Sequence, residues 1–203
     1  YRRALAKLGK AVDRSEWVMT PQTVNAVNLP AMNALNFPAA ILQPPFFDAR
    51  RAVAMDYGAI GSVIGHEVSH SFDNQGALFD SQGRLHNWWT PEDFKHFQAS
   101  SQQLVSQYNE YRPFPDLAVN GKQTLGENIA DVAGLAAAYD AFHRSLRGKP
   151  APVVQGFTGD RQFFISFAQE WRTKAREPLL RRRAPRRRSE RWDASAGCSR
   201  PAR

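Results

Sequence analysis

Five residues, His66-Glu67-Val68-Ser69-His70, have the types and the spacing to do chemistry. On a helix, positions four apart share a face, so His66 and His70 present two imidazoles to one metal ion. Glu67 sits one residue round, within reach of a water at that ion. Two imidazoles with a carboxylate beside them suit zinc-dependent hydrolysis, with the Glu as general base. Zinc also needs at least one further protein ligand and an open position. The preceding run Ala59-Ile60-Gly61-Ser62-Val63-Ile64-Gly65 is small and apolar, as a buried helix requires. A Glu buried there is costly unless a metal or another partner uses its charge.

The further ligand is expected in Gly126-Glu127-Asn128-Ile129-Ala130-Asp131, which opens a helical stretch running to about Leu146. Glu127, Asp131, Leu135, Ala138 and Phe142 share one stripe at spacings of three and four. Carboxylates on the same side as Leu135 and Phe142 point inward, and buried carboxylates need a cation or hydrogen-bond donors. Glu127 is therefore expected as the third ligand of one Zn2+. Asp131, one turn on, is expected to accept the other N–H of a ligand histidine, fixing the ring and raising its basicity. Taken alone, Glu127 reads better as a first-turn carboxylate favoured by the helix dipole; beside H-E-x-x-H the ligand reading prevails. His86, His96 and His143 have no partner at metal-ligand spacing and read as surface or structural residues.

The elements that must position these groups are mainly α with a small β part. Trp17 to Phe47 reads as loop and strand, rich in Pro and Asn. A long helix is expected from Ala54 to Asn74, because both histidines need it. Asp80-Ser81-Gln82-Gly83-Arg84 is a turn. Thr90-Pro91-Glu92-Asp93 starts another helix, with Thr90 as cap and Pro91 at the first position, running to about Tyr111. Gly148 to Asp160 is an exposed loop, and Asp160 is expected to cap a last helix through Lys174.

Charge divides the chain. Residues 1–175 hold 17 Lys/Arg against 16 Asp/Glu, whereas residues 176–203 hold ten Arg against three acids. The formal net charge of +8 thus belongs almost wholly to the tail. The first part is near neutral and makes no case for nucleic acid, and it contains no membrane segment. The tail, from residue 178 on, has almost no apolar periodicity and is expected to be disordered. The single cysteine, Cys198, lies in it, so the folded part has no disulfide framework.

H-E-V-S-H followed by E-N-I-A-D resembles the neprilysin-type zinc peptidases, which include neprilysin, the endothelin-converting enzymes and the bacterial oligopeptidases O. The likeness extends to Val24-Asn25-Ala26, to Asn36-Phe37-Pro38-Ala39-Ala40-Ile41-Leu42-Gln43-Pro44-Pro45-Phe46-Phe47, and to Tyr57-Gly58-Ala59-Ile60-Gly61. It continues through Phe72-Asp73-Asn74-Gln75-Gly76, Trp88-Trp89-Thr90 and Phe167-Ala168-Gln169-Glu170-Trp171-Arg172. The resemblance implies a thermolysin-like zincin catalytic lobe, incomplete, over residues 1–177. It implies zinc on His66, His70 and Glu127, and Glu67 as the base that moves a proton from the attacking water to the leaving amine. It implies that Asn25 and Ala26 hydrogen-bond the substrate backbone as an added strand does. Phe46 and Val63 then line an apolar pocket for the residue after the cut bond. The activity implied is a metalloendopeptidase acting on oligopeptides, on the amino side of bulky apolar residues. A bacterial, periplasmic or secreted location is implied by analogy. In the family, a large N-terminal helical lobe covers the site, and this chain does not contain it.

The tail departs from the family. The relatives continue after F-A-Q-x-W-R with a segment carrying a His and an Arg, but all five histidines here precede residue 144. The abrupt Arg-rich text reads as translation in a shifted frame. The absent His donates to the oxyanion in the family, and loss of one such donor costs about a hundred- to a thousandfold in turnover. Two other readings are therefore carried: a catalytically inactive zinc-binding remnant, and a tail that anchors the chain to nucleic acid or a membrane surface.

Overall fold

The computed structural model describes residues 2–184. A short helix α1 (Arg2–Leu5) precedes a long irregular stretch. A two-stranded antiparallel sheet follows, β1 (Val27–Leu29) on β2 (Ala34–Asn36), with Val27 opposite Asn36 and Leu29 opposite Ala34. Pro30–Met32 forms a single 3-10 turn between them, closed by Asn33 in the left-handed region.

The expected long helix is a continuous helical path in four geometries: α2 (Val53–Asp56), a π turn (Tyr57–Gly61), α3 (Ser62–Ser69) and a 3-10 turn (His70–Phe72). A π turn inserts one residue into the helical repeat and shifts which face looks inward. Here it separates the segment packed on α6 from the segment that carries both histidines.

Helix α4 (Pro91–Asn109) starts as its sequence requires: Thr90 Oγ1 accepts from the Asp93 N–H at 3.1 Å, with Pro91 at the first position. Helix α5 (Leu125–Ser145) buries Glu127, Asp131, Ala138 and Phe142 of the expected stripe and leaves Leu135 half-buried. It packs most extensively on α3. Two glycines allow this: a Cβ on Gly65 would stand 2.3 Å from the Gly134 carbonyl oxygen, and one on Gly134 2.3 Å from the His66 nitrogen.

Helix α6 (Gly159–Glu170) corrects two expectations. Its cap is Thr158, whose Oγ1 accepts from the Arg161 N–H, and Asp160 lies inside the first turn, where it meets His143 Nε2 at 2.9 Å. It ends at Glu170 rather than Lys174. The disorder expected from residue 178 also does not hold throughout, since Glu177–Arg183 forms α7. Pro178 suits its first turn. Arg181 bonds both Glu177, one turn back, and Asp116, and lies 4.4 Å over the Phe114 ring. The rest of the tail lies outside the described residues.

Two apolar clusters hold the fold. Ala26, Ile41, Phe46, Ile60 and Val63 join the sheet region to the π turn and α3. Ala54, Ala138, Phe142 and Phe163 join α2, α5 and α6. No described helix is long and apolar enough to cross a membrane.

Candidate metal centre

The spacing of His66 and His70 puts both rings on one side of the helical path, edge to face with centroids 4.5 Å apart. Their Nε2 atoms are 2.9 Å apart. From α5, Glu127 Oε2 reaches within 3.4 Å of His66 Nε2 and 3.7 Å of His70 Nε2. These three residues form the one cluster of potential metal ligands among the described residues. Ligands at about 2.0–2.2 Å from a tetrahedral zinc stand about 3.3–3.6 Å from one another, and the three separations bracket that value. Two imidazole nitrogens with one carboxylate oxygen is also a donor set that zinc takes. The residues present therefore fit zinc.

Each imidazole is held from behind. His66 Nδ1 lies 3.0 Å from Asp131 Oδ1, and Asp131 stands behind the ring and outside the cavity. His70 Nδ1 lies 2.7 Å from Asp73 Oδ2. A Nδ1–H donated to each carboxylate leaves the Nε2 lone pair facing the common point, which fixes the tautomer a ligand needs. Asp73 was not singled out from the sequence, although H-x-x-D places it one turn after His70 and could have shown it. It is well braced, because its Oδ1 accepts from the Gln75 and Gly76 N–H groups at 2.7 Å. Burial raises a carboxyl, but in Asp73 the bonds from His70, Gly76 and Gln75 outweigh it and hold the group below its usual range.

Burial likewise opposes a charge on His66, yet the bonds to Asp131 and Glu127 prevail and lift it to about 10 in the metal-free protein. Glu67 behaves differently. Its side chain is buried, and desolvation raises its pKa against the pull of His66 and His70.

A cavity of about 300 Å³ opens at these groups. His66, Glu67, His70 and Glu127 line it, and so do Asn25, Ala26 and Val63. Asn25 and Ala26 run directly into β1, so the segment that leads into the strand borders the cavity. Phe46 stands a layer back: it is 5% exposed, packs in the cluster with Val63 and Ile41, and is not on the cavity wall. Trp171, just past α6, closes another side. His86, His96 and His143 are exposed, as expected.

With that geometry in place, the chain was compared with known proteins. Residues 25–187 match the family described as Peptidase family M13. The chain belongs to that family. It is 47% identical over 171 residues to an endothelin-converting enzyme homolog of Locusta migratoria, covering 82% of this chain and 23% of that protein. It is 43% identical over 180 residues to neprilysin-11 of Caenorhabditis elegans, covering 86% and 21%. Among solved structures, the inhibitor complex of the Mycobacterium tuberculosis zinc metalloprotease Zmp1 superposes with a TM-score of 0.86 at 51% identity, over 90% of this chain and 29% of that one. PepO of Lactobacillus rhamnosis superposes at 0.74 with 39% identity, over 91% and 28%. These neighbours agree with a mainly helical M13 lobe carrying a small sheet. The chain spans about a quarter of the length of the M13 relatives it matches.

Proposed function

We propose that this chain carries the catalytic centre of a zinc metalloendopeptidase acting on oligopeptides. The observation that carries it is the convergence of His66 Nε2, His70 Nε2 and Glu127 Oε2 at the floor of a cavity that Glu67 also lines. His66, His70 and Glu127 would hold one zinc, with Asp131 and Asp73 orienting the two rings. When bound, zinc polarises a scissile carbonyl and acidifies a water beside it. Glu67 takes a proton from the attacking water and returns it to the leaving amine. The segment at Asn25 and Ala26, leading into β1, offers backbone groups to a peptide in the manner of an added strand. Val63, at the cavity wall, and Phe46 behind it make that end apolar, which favours a bulky apolar residue after the cut bond.

The test is metal analysis and a peptide assay on the purified chain. Near one zinc per chain, lost in Glu127→Ala and kept in Glu67→Gln, with hydrolysis abolished in both, is the expected result. Unchanged zinc affinity in Glu127→Ala overturns the ligand set. Zinc bound by the wild-type chain with no hydrolysis of any peptide favours the inactive remnant.

A further inference from the structure

We propose that Asn28 is a positioning residue that ties the peptide-binding strand to the catalytic base. This rests on the peptidase reading above. Asn28 lies in β1, two residues after Ala26, opposite Leu35 of β2. Its side chain crosses to the metal helix. Nδ2 donates one hydrogen to the backbone carbonyl of Glu67 at 2.7 Å and the other to Ser71 Oγ at 2.8 Å. Both amide hydrogens are thus used, on residues that flank His70. The carbonyl of Glu67 belongs to the last turn of α3, where carbonyls lose their helical partners. A donor from outside the helix fixes that carbonyl, and with it the backbone from which the buried Glu67 carboxyl is aimed.

Catalysis of this kind needs the scissile bond, the water and the base at fixed separations. A peptide laid along Asn25 and Ala26 is positioned by the strand, whereas Glu67 is positioned by the helix. Among the described residues, the Asn28 side chain is the hydrogen-bonded link between that strand and the Glu67 backbone. Its loss leaves the strand tied to Glu67 only through the Asn28 backbone N–H on the carboxyl, with the Glu67 backbone no longer held. Misplacement of about 1 Å costs about a hundredfold in rate. The Asn28 backbone N–H also bonds the Glu67 carboxyl; that bond survives substitution of the side chain, so the variants act on the side-chain link and hence on alignment.

The experiment compares Asn28→Ala, Asn28→Asp and Ser71→Ala in the 203-residue chain, loaded with zinc for kinetics and with cobalt(II) for spectra. We expect unchanged zinc content and unchanged cobalt(II) visible bands in all three. We expect kcat to fall about ten- to a hundredfold in both Asn28 variants with KM within about threefold, and less in Ser71→Ala, which removes one of two bonds. Ser71→Ala should add little in the Asn28→Ala background, since the two share one link. Ser71→Ala keeps the question open to refutation if an Asn28 variant does not fold. Unchanged kcat, or a loss that follows metal content, overturns the proposal. If the wild-type chain turns over no peptide, the peptidase reading fails for this chain, and the link is judged on cobalt(II) alone. A peptide hydroxamate should then perturb the visible bands with about tenfold weaker affinity in Asn28→Ala, and equal affinity overturns it.

Discussion

A carboxylate behind each imidazole turns two histidines at helical spacing into a prepared ligand pair. Asp131 comes from α5 and Asp73 from the turn after α3, so the rings are held from two directions. Asp131→Asn and Asp73→Asn are each expected to weaken zinc about ten- to a hundredfold, measured by chelator competition. Glutamate in place of either should restore less than half of the loss if reach, and not charge alone, sets the ring. The His66 value of about 10 gives a second expectation. Zinc takes the neutral ring, so below that pH a proton must leave as the metal enters. Apparent zinc affinity should therefore rise by about tenfold per unit from about pH 6 to pH 8. A flat profile shows that His66 is already neutral in the metal-free protein.

At the scale of elements, the centre depends on how closely α3 and α5 cross. His66 and Glu127 lie on different helices, and their separation is set at Gly65 and Gly134. Neither glycine is needed for an unusual backbone angle; each is needed because the other helix's backbone occupies the place of a Cβ. Gly134→Ala should cost about 1–3 kcal/mol in stability and weaken zinc as well, because the clash falls on the His66 backbone. Denaturant titration with and without zinc separates the two effects. Normal stability and zinc affinity in Gly134→Ala show that the crossing is slack. The cap of α4 serves as a comparison: Thr90→Ala should cost about 1 kcal/mol and leave zinc untouched, since α4 contributes no ligand.

For the whole molecule, the candidate ligands come from α3, which carries Val63 of one apolar cluster, and from α5, which carries Ala138 and Phe142 of the other, so zinc occupancy should govern stability. Zinc at a thousandfold above its Kd adds about 4 kcal/mol, and in a chain of 203 residues each kcal/mol moves Tm by about 2–4 °C. Chelation should lower Tm by about 8–16 °C in a thermal scan, and a shift below 2 °C argues against a tight site. In the metal-free state, protonated His66 partly takes the ion's place between Asp131 and Glu127. Its pKa is raised on folding, so this contribution is complete below the unfolded value of 6.5 and disappears as pH rises through about 10. Metal-free Tm should fall over that window, and zinc-loaded Tm should not.

The sequence by itself determined whatever repeats at helical period or caps locally. His66, His70 and Glu67 were legible because four residues make one turn, and Glu127 and Asp131 because they share the stripe of Leu135 and Phe142. Thr90 was legible as a cap from the three residues after it. Asp160 was misread for a similar reason, since Thr158 and Asp160 are both good caps and only the backbone angles at residue 158 chose between them. Tertiary structure alone decided the rest. The π turn at Tyr57–Gly61 packs against α5 and α6 and leaves no period in the sequence. The helix α7 forms where Arg181 finds Asp116 and Phe114, more than sixty residues away. The Asn28 link joins residues 39 apart, and a polar residue on a short strand announces nothing about which helix it will reach. Local pattern specifies which face a residue takes, while the distance between two faces is fixed only when the elements pack, and it is that distance that makes three side chains one metal centre.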